Sequence, residues 1–139
     1  MDKTGTMKQK TIKIIYWAVT ITFCLANLGS GISGFFPNQQ GLDGMKQLGY
    51  PAYLLIILGV AKILGSVAIV QTKFKTIKEW AYAGFAIDYL GAAASFFMTG
   101  SGLAIIFPLI FLAVMFVSYF LWKSVELMKS EPARIARNF

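Results

Sequence analysis

The chain has no histidine, a single cysteine and few charges: Asp and Glu together number 6 and Lys and Arg 13 in 139 residues. Each shortage removes a class of chemistry. Without histidine, haem ligation by imidazole and most zinc or iron sites fail at the outset. With Cys24 alone there is no internal disulfide framework, and no pair of thiols to exchange a disulfide as a membrane thiol oxidoreductase must. No base lies near Cys24 in the sequence, so it reads as a small packing residue rather than a nucleophile. Charged residues make up 14% of the chain where about 25% is typical, and apolar residues 57%. A soluble domain of this length could not bury so much apolar surface. Lipid can accept it, and soluble-enzyme readings find no support.

Four apolar segments are present, from about Ile12 to Phe36, Pro51 to Val70, Trp80 to Thr99 and Leu103 to Trp122. Each is close to the roughly 20 residues that cross a hydrocarbon core of about 30 Å at about 1.5 Å per residue. None alternates apolar and polar as a barrel strand would, and in lipid a spanning backbone must satisfy its own polar groups. The expected fold is therefore all-α, an integral membrane four-helix bundle over residues 12–122. A basic arm at residues 1–11 and a basic tail at 123–139 flank it, with a frayed end from Glu131. Lysines ahead of the first segment and the Cys24-Leu25-Ala26 string resemble a cleavable leader. The apolar character continues through Gly31, Gly34, Phe35 and Phe36, however, which favours a retained spanning helix.

The charge pattern sets an orientation. Lys3, Lys8, Lys10 and Lys13 precede the first segment, Lys73, Lys75 and Lys78 lie between the second and third, and Lys123, Lys129, Arg134 and Arg137 follow the fourth. Four crossings put all eleven on one side. The other side holds only Lys46. By the positive-inside rule both ends of the chain are expected in the cytoplasm, with the protein crossing the cell membrane several times. The net charge of +7 is thus an orientation and headgroup feature, with no nucleic-acid partner expected. Aromatic residues near segment ends (Trp17, Tyr50, Tyr53, Trp80, Tyr82, Tyr119, Trp122) suit an interfacial belt. Pro51 is placed for the first turn of the second helix, and Pro108, about a turn into the fourth, predicts a bend. In the connection from Pro37 to Tyr50, Leu42, Met45 and Leu48 recur every three residues, as in a short helix lying on the membrane surface.

Two charges fall inside the apolar segments. Lys62 lies about ten residues from the cytoplasmic end of the second, and Asp88 about eight from the start of the third, so both sit roughly 12–15 Å deep on adjacent antiparallel helices. An uncompensated charge at mid-helix costs about 2.5–3.5 kcal/mol on insertion scales. Pairing relieves much of that, and neither residue is expected to face lipid. Gly84, Asp88, Gly91 and Ser95 share one helical face, as do Gly59, Lys62 and Ser66, with Gly65 beside them. In the first segment Thr20, Cys24, Asn27, Gly31 and Gly34 do the same. Small residues let helices approach closely and buried polar groups find partners there. The expectation is one interior lined by all three faces, with Asn27, Ser66 and Ser95 as its polar lining. Lys62–Asp88 is either a structural pair fixing helix register or a ligand- or proton-linked site. No catalytic constellation and no metal site is evident.

The strings Gly49-Tyr50-Pro51-Ala52-Tyr53, Gly59-Val60-Ala61-Lys62 and Lys78-Glu79-Trp80-Ala81-Tyr82-Ala83-Gly84 resemble the second and third helices of the DoxX-like membrane proteins. Ile106 to Trp122 is similar to their fourth. The resemblance covers roughly Leu48 to Trp122 and implies a bacterial four-helix membrane bundle. It also implies an association with membrane oxidoreductases, one member being a subunit of a thiosulfate:quinone oxidoreductase. Lys62 and Asp88 match charged positions of the family. Ser95-Phe96 stands where many relatives carry Ser-His, so any role of that histidine is missing here. Two functions follow as expectations. One is a non-catalytic subunit or binding partner of a redox system, presenting a quinone-like lipid-soluble ligand, quinone being implied by the resemblance alone. The other is a small proton-coupled transporter working as an oligomer, with Asp88 titrating.

Overall fold

The computed structural model describes residues 3–137, which are mostly helical with no strand among them. Helix α1 spans Lys3–Ser33, α2 Gln39–Leu48, α3 Leu54–Val70, α4 Lys75–Met98 and α5 Ile106–Arg137, with a 3-10 turn at Gly102–Ile105 leading into α5. The element count is thus five helices, the extra one being α2 in the long connection. The four longer helices form a ring in which α1 packs on α3 and α5, and α4 on α3 and α5.

Three stretches, Met7–Ser33 in α1, Lys75–Met98 in α4 and Gly102–Glu131 in the 3-10 turn and α5, are long and apolar enough to cross a membrane, and α3 is a shorter apolar helix of 17 residues. Their outward faces carry Ile14, Leu25, Leu64, Ile87, Phe97 and Phe107, all well exposed. So continuous an apolar exterior marks a surface that meets something other than water.

Towards the two ends of the chain the helices overrun the apolar segments. Backbone hydrogen bonding continues past the last apolar residue, so the expected arm and the expected frayed tail are turns of α1 and α5 as far as residues 3 and 137. Positions 1, 2, 138 and 139 of those two segments lie outside the described residues. Two prolines also fall differently. Pro51 precedes the Tyr53 N-cap of α3 and lies in the entry turn, its carbonyl accepting from Leu54 N at 3.1 Å. Pro108 is the third residue of α5, where an N–H would have no intrahelical partner, so no bend is required.

The connections explain themselves locally. Asn38 caps α2, its Oδ1 accepting from Gly41 N at 2.8 Å. Gly49, at φ 79°, ends the helix with a Schellman pair, Gly49 N to Lys46 O at 3.0 Å and Tyr50 N to Met45 O at 2.9 Å. No residue of α2 is buried. Between α3 and α4, Gln71 staples the link: its amide nitrogen donates to Ala68 O and Phe74 O at 2.9 and 2.7 Å, and its oxygen accepts from Phe74 N at 2.7 Å. So short a link makes α3 and α4 antiparallel neighbours.

Where α1 crosses α3, glycine is a steric requirement. A Cβ on Gly59 would lie 2.6 Å from the Gly31 carbonyl oxygen, one on Gly31 2.8 Å from the Gly59 oxygen, and one on Gly34 2.5 Å from the Leu55 oxygen. The backbones touch there, as small-residue crossings in membranes allow.

Candidate functional site

The closed interior is built from aromatic rings and hydroxyls. Tyr16, Phe23, Ile69, Tyr82, Phe85, Tyr89, Met115 and Trp122 are buried there. Most of the polar groups among them are matched. Ser118 Oγ lies 2.7 Å from both Thr20 Oγ1 and Tyr82 Oη, and Tyr89 Oη donates to Asn27 Oδ1 at 2.7 Å. Cys24 is buried, its thiol 3.7 Å from the Ser66 carbonyl, in keeping with a packing role. Ser66 is buried too, and its hydroxyl has no hydrogen-bond partner among the described residues.

Lys62 and Asp88 come together outside that interior. Lys62 Nζ is 3.9 Å from Asp88 Oδ2 and 3.3 Å from Ser30 Oγ of α1. At 3.9 Å the two charges attract without a direct hydrogen bond, and none reaches the Asp88 carboxylate from the described residues. Both side chains keep about a fifth of their surface exposed, at 22% and 21%. They lie at the α3–α4 contact in a groove of about 380 Å³ that is otherwise mostly apolar, with Leu58, Gly65, Trp80, Gly84 and Phe85 among its walls. Trp80 and Ile87 at its rim are exposed, so the groove opens on the outer side of the bundle. Gly65 gives it depth: a Cβ there would meet the Phe85 ring at 2.8 Å.

This corrects one expectation. The face of α4 carrying Gly84, Asp88, Gly91 and Ser95 does not line the interior; Gly84 and Gly91 are exposed and Asp88 and Ser95 half-buried. The interior face carries Lys78, Tyr82, Phe85, Tyr89 and Ala93. Of the expected polar lining, Asn27 and Ser66 are inside. Ser95 lies towards the far end of α4, its Oγ 2.6 Å from Tyr50 Oη. The reason is the tyrosines: large rings fill the space between four helices, and each buried hydroxyl finds a partner only across the bundle.

Sequence reasoning placed Lys78 among the orienting surface charges, yet it is 3% exposed. Its ammonium donates to Tyr16 Oη and lies 5.0 and 4.9 Å from the centroids of the Tyr16 and Trp122 rings. A signal was available, since Lys78, Tyr82, Phe85 and Tyr89 recur at three- and four-residue spacing and so share a helical face. Nearby, Lys75 pairs with Glu126 at 2.6 Å and Lys123 with Glu79, tying α4 to α5.

An all-helical chain with an apolar exterior and a charged pair in a side groove defines a helical membrane protein. The model of the DoxX-like family matches residues 18–118, and the chain belongs to that family. The match takes in the second half of α1 as well as α2, α3 and α4, and the first part of α5. No curated protein and no solved structure matches the chain.

Proposed function

We propose that the protein crosses the bacterial inner membrane four times with both ends cytoplasmic. In this reading its α3–α4 groove holds the polar head of a lipid-soluble, quinone-like ligand for a partner redox system, without catalysis of its own. Support for the fourth crossing comes from α3, whose 17 residues reach about 25 Å, within the usual range for a spanning helix. The orientation rests on the eleven-to-one distribution of basic residues. Reporter fusions at the two ends should both register the cytoplasmic face, and opposite faces would refute it.

The observation that carries the ligand reading is the Lys62–Asp88 pair itself. It stands about one-fifth exposed at 3.9 Å in a mostly apolar groove, the layout of a binding site with few polar groups fixing orientation. The ammonium can donate to a carbonyl oxygen, and the carboxylate, free of hydrogen bonds from the described residues, can accept from a hydroxyl. A quinone or quinol head offers either group, and its tail would run along the open rim. The tightly packed aromatic interior weighs against a solute path through a single copy. The test uses Trp80 as reporter: a short-tailed benzoquinone titrated into protein in lipid nanodiscs should give saturable fluorescence quenching. The saturable part should vanish in Trp80→Phe and shift to at least tenfold higher concentration in Asp88→Asn. Unsaturable quenching, or an unchanged curve in Asp88→Asn, would sink the proposal.

A further inference from the structure

A second cavity, of about 270 Å³, lies at the end of the bundle where α3 passes into α4, apart from the groove. It exceeds the ~150 Å³ of an engineered cavity that accommodates benzene. Its walls are unusually cationic. Lys13 of α1, Lys75 and Lys78 of α4 and Lys129 of α5 line it, against one carboxylate, that of Glu126. Glu126 is engaged by Lys75 at 2.6 Å, which leaves three lysines without a carboxylate in ion-pair range among the described residues.

Lys78 makes this more than a solvated basic surface. It is 3% exposed, and its ammonium is held by the Tyr16 hydroxyl and the Tyr16 and Trp122 rings. Buried cations are ordinarily paired with a buried anion. Here the groups in direct contact with it are neutral, and Glu126 across the cavity is engaged by Lys75. The amino end of α4 adds to the field. Its N-cap Phe74 makes no side-chain cap and its first turn has no acidic residue, so unsatisfied N–H groups and the positive dipole end meet the same space.

We infer that this cavity is a binding site for a phosphate-type anion, held at its base by Lys78 and at its rim by Lys13 and Lys129. A phosphate group supplies the counter-charge that Lys78 lacks and several acceptor oxygens for lysines converging from three helices. Two sources share that chemistry: the headgroup of an anionic phospholipid, whose tails would lie along the apolar exterior, and free inorganic phosphate. Basic pockets between spanning helices on the cytoplasmic side are suited to anionic headgroups.

The experiment is thermal unfolding of the purified full chain in a neutral detergent. Additions are inorganic phosphate, short-chain phosphatidylglycerol and short-chain phosphatidylcholine, all at matched chloride ionic strength. Saturable stabilisation by phosphatidylglycerol or phosphate over phosphatidylcholine and chloride is expected. An effect of the lipid alone assigns a headgroup, and an effect of phosphate as well assigns the anion generally. Lys78→Met should weaken the effect at least tenfold in concentration, and Lys13→Gln/Lys129→Gln together several-fold. Should Lys78→Met not fold, the rim pair, which is exposed, decides alone. Equal stabilisation by all additives, or an unchanged response in the rim variant, would overturn the inference.

Discussion

The two faces of α4 differ in a way that inverts the usual expectation. One carries Gly84, Asp88 and Gly91, small or charged; the other Lys78, Tyr82, Phe85 and Tyr89, large and mostly aromatic. The large face is inside. In water, polarity sorts residues between core and surface. Against lipid it cannot, because the surroundings are as apolar as the core. What remains is geometry and the need of buried polar atoms for partners. Tyr82 and Tyr89 satisfy both conditions at once, filling volume with a ring and closing a hydrogen bond to Ser118 or Asn27 with the hydroxyl. The small face leaves room on the outside, and Asp88 sits in that room with Lys62.

The contrast can be broken most forcefully from the inside. Tyr82 stacks on Trp122 at 5.8 Å between centroids, meets Tyr119 edge-on at 5.3 Å and bonds Ser118. Tyr82→Ala should cost about 3 kcal/mol, as large aromatic truncations in a packed core do. Ile87→Ala on the outer side, at 72% exposure, should stay within about 0.5 kcal/mol. Reversible unfolding in mixed micelles reads both. Comparable losses would mean that the two faces are equally packed.

Glycines sharpen the same point with opposite signs. Gly59 touches the Gly31 backbone, whereas a Cβ on Gly84 meets nothing within 4 Å. Gly59→Ala should push α1 and α3 apart and cost about 1–3 kcal/mol. Gly84→Ala should be neutral or stabilise by up to about 1 kcal/mol through helix propensity alone. The same unfolding assay checks it, and a stabilising Gly59→Ala would show that the crossing is looser than its geometry.

How far the sequence reveals this arrangement follows from what each signal encodes. Hydropathy marks where helices exist, because burial in lipid is a sum over a run; the run near Pro51–Val70 contains α3 and that near Trp80–Thr99 contains most of α4, which begins earlier at Lys75. It does not mark where they stop. Lys75 and Glu126, and Glu79 and Lys123, pair across α4 and α5 and keep both helices going beyond the apolar stretch. The meeting of Lys62 and Asp88 follows from depth and adjacency, both readable from spacing. The rotation of α4 about its axis is another matter. Two faces of that helix carry polar residues at helical spacing, and only the positions of Asn27, Ser118 and Tyr16 on other helices decide which turns inward. That information is distributed over the whole chain. Lys78 was hidden for the same reason, being one lysine in a cluster until Tyr16 and Trp122 are placed around it.

The smallest expected effect tests the groove itself. Lys62 and Asp88 attract at 3.9 Å with about a fifth of each side chain exposed, so their coupling should be modest, about 1 kcal/mol. Removing one partner leaves the other charge in a mostly apolar groove, which costs more than removing both. Lys62→Met loses the cation beside Asp88 and also the contact with Ser30, while Asp88→Leu strands an ammonium that still has Ser30. Lys62→Met should therefore be the worse single variant, and the double variant should lose less than the two singles added together. A double-mutant cycle on unfolding free energies measures the difference directly. Strict additivity would mean that the charges do not interact. A coupling of several kcal/mol would mean that the groove is closed and dry in the folded protein, leaving no space for a ligand head between α3 and α4.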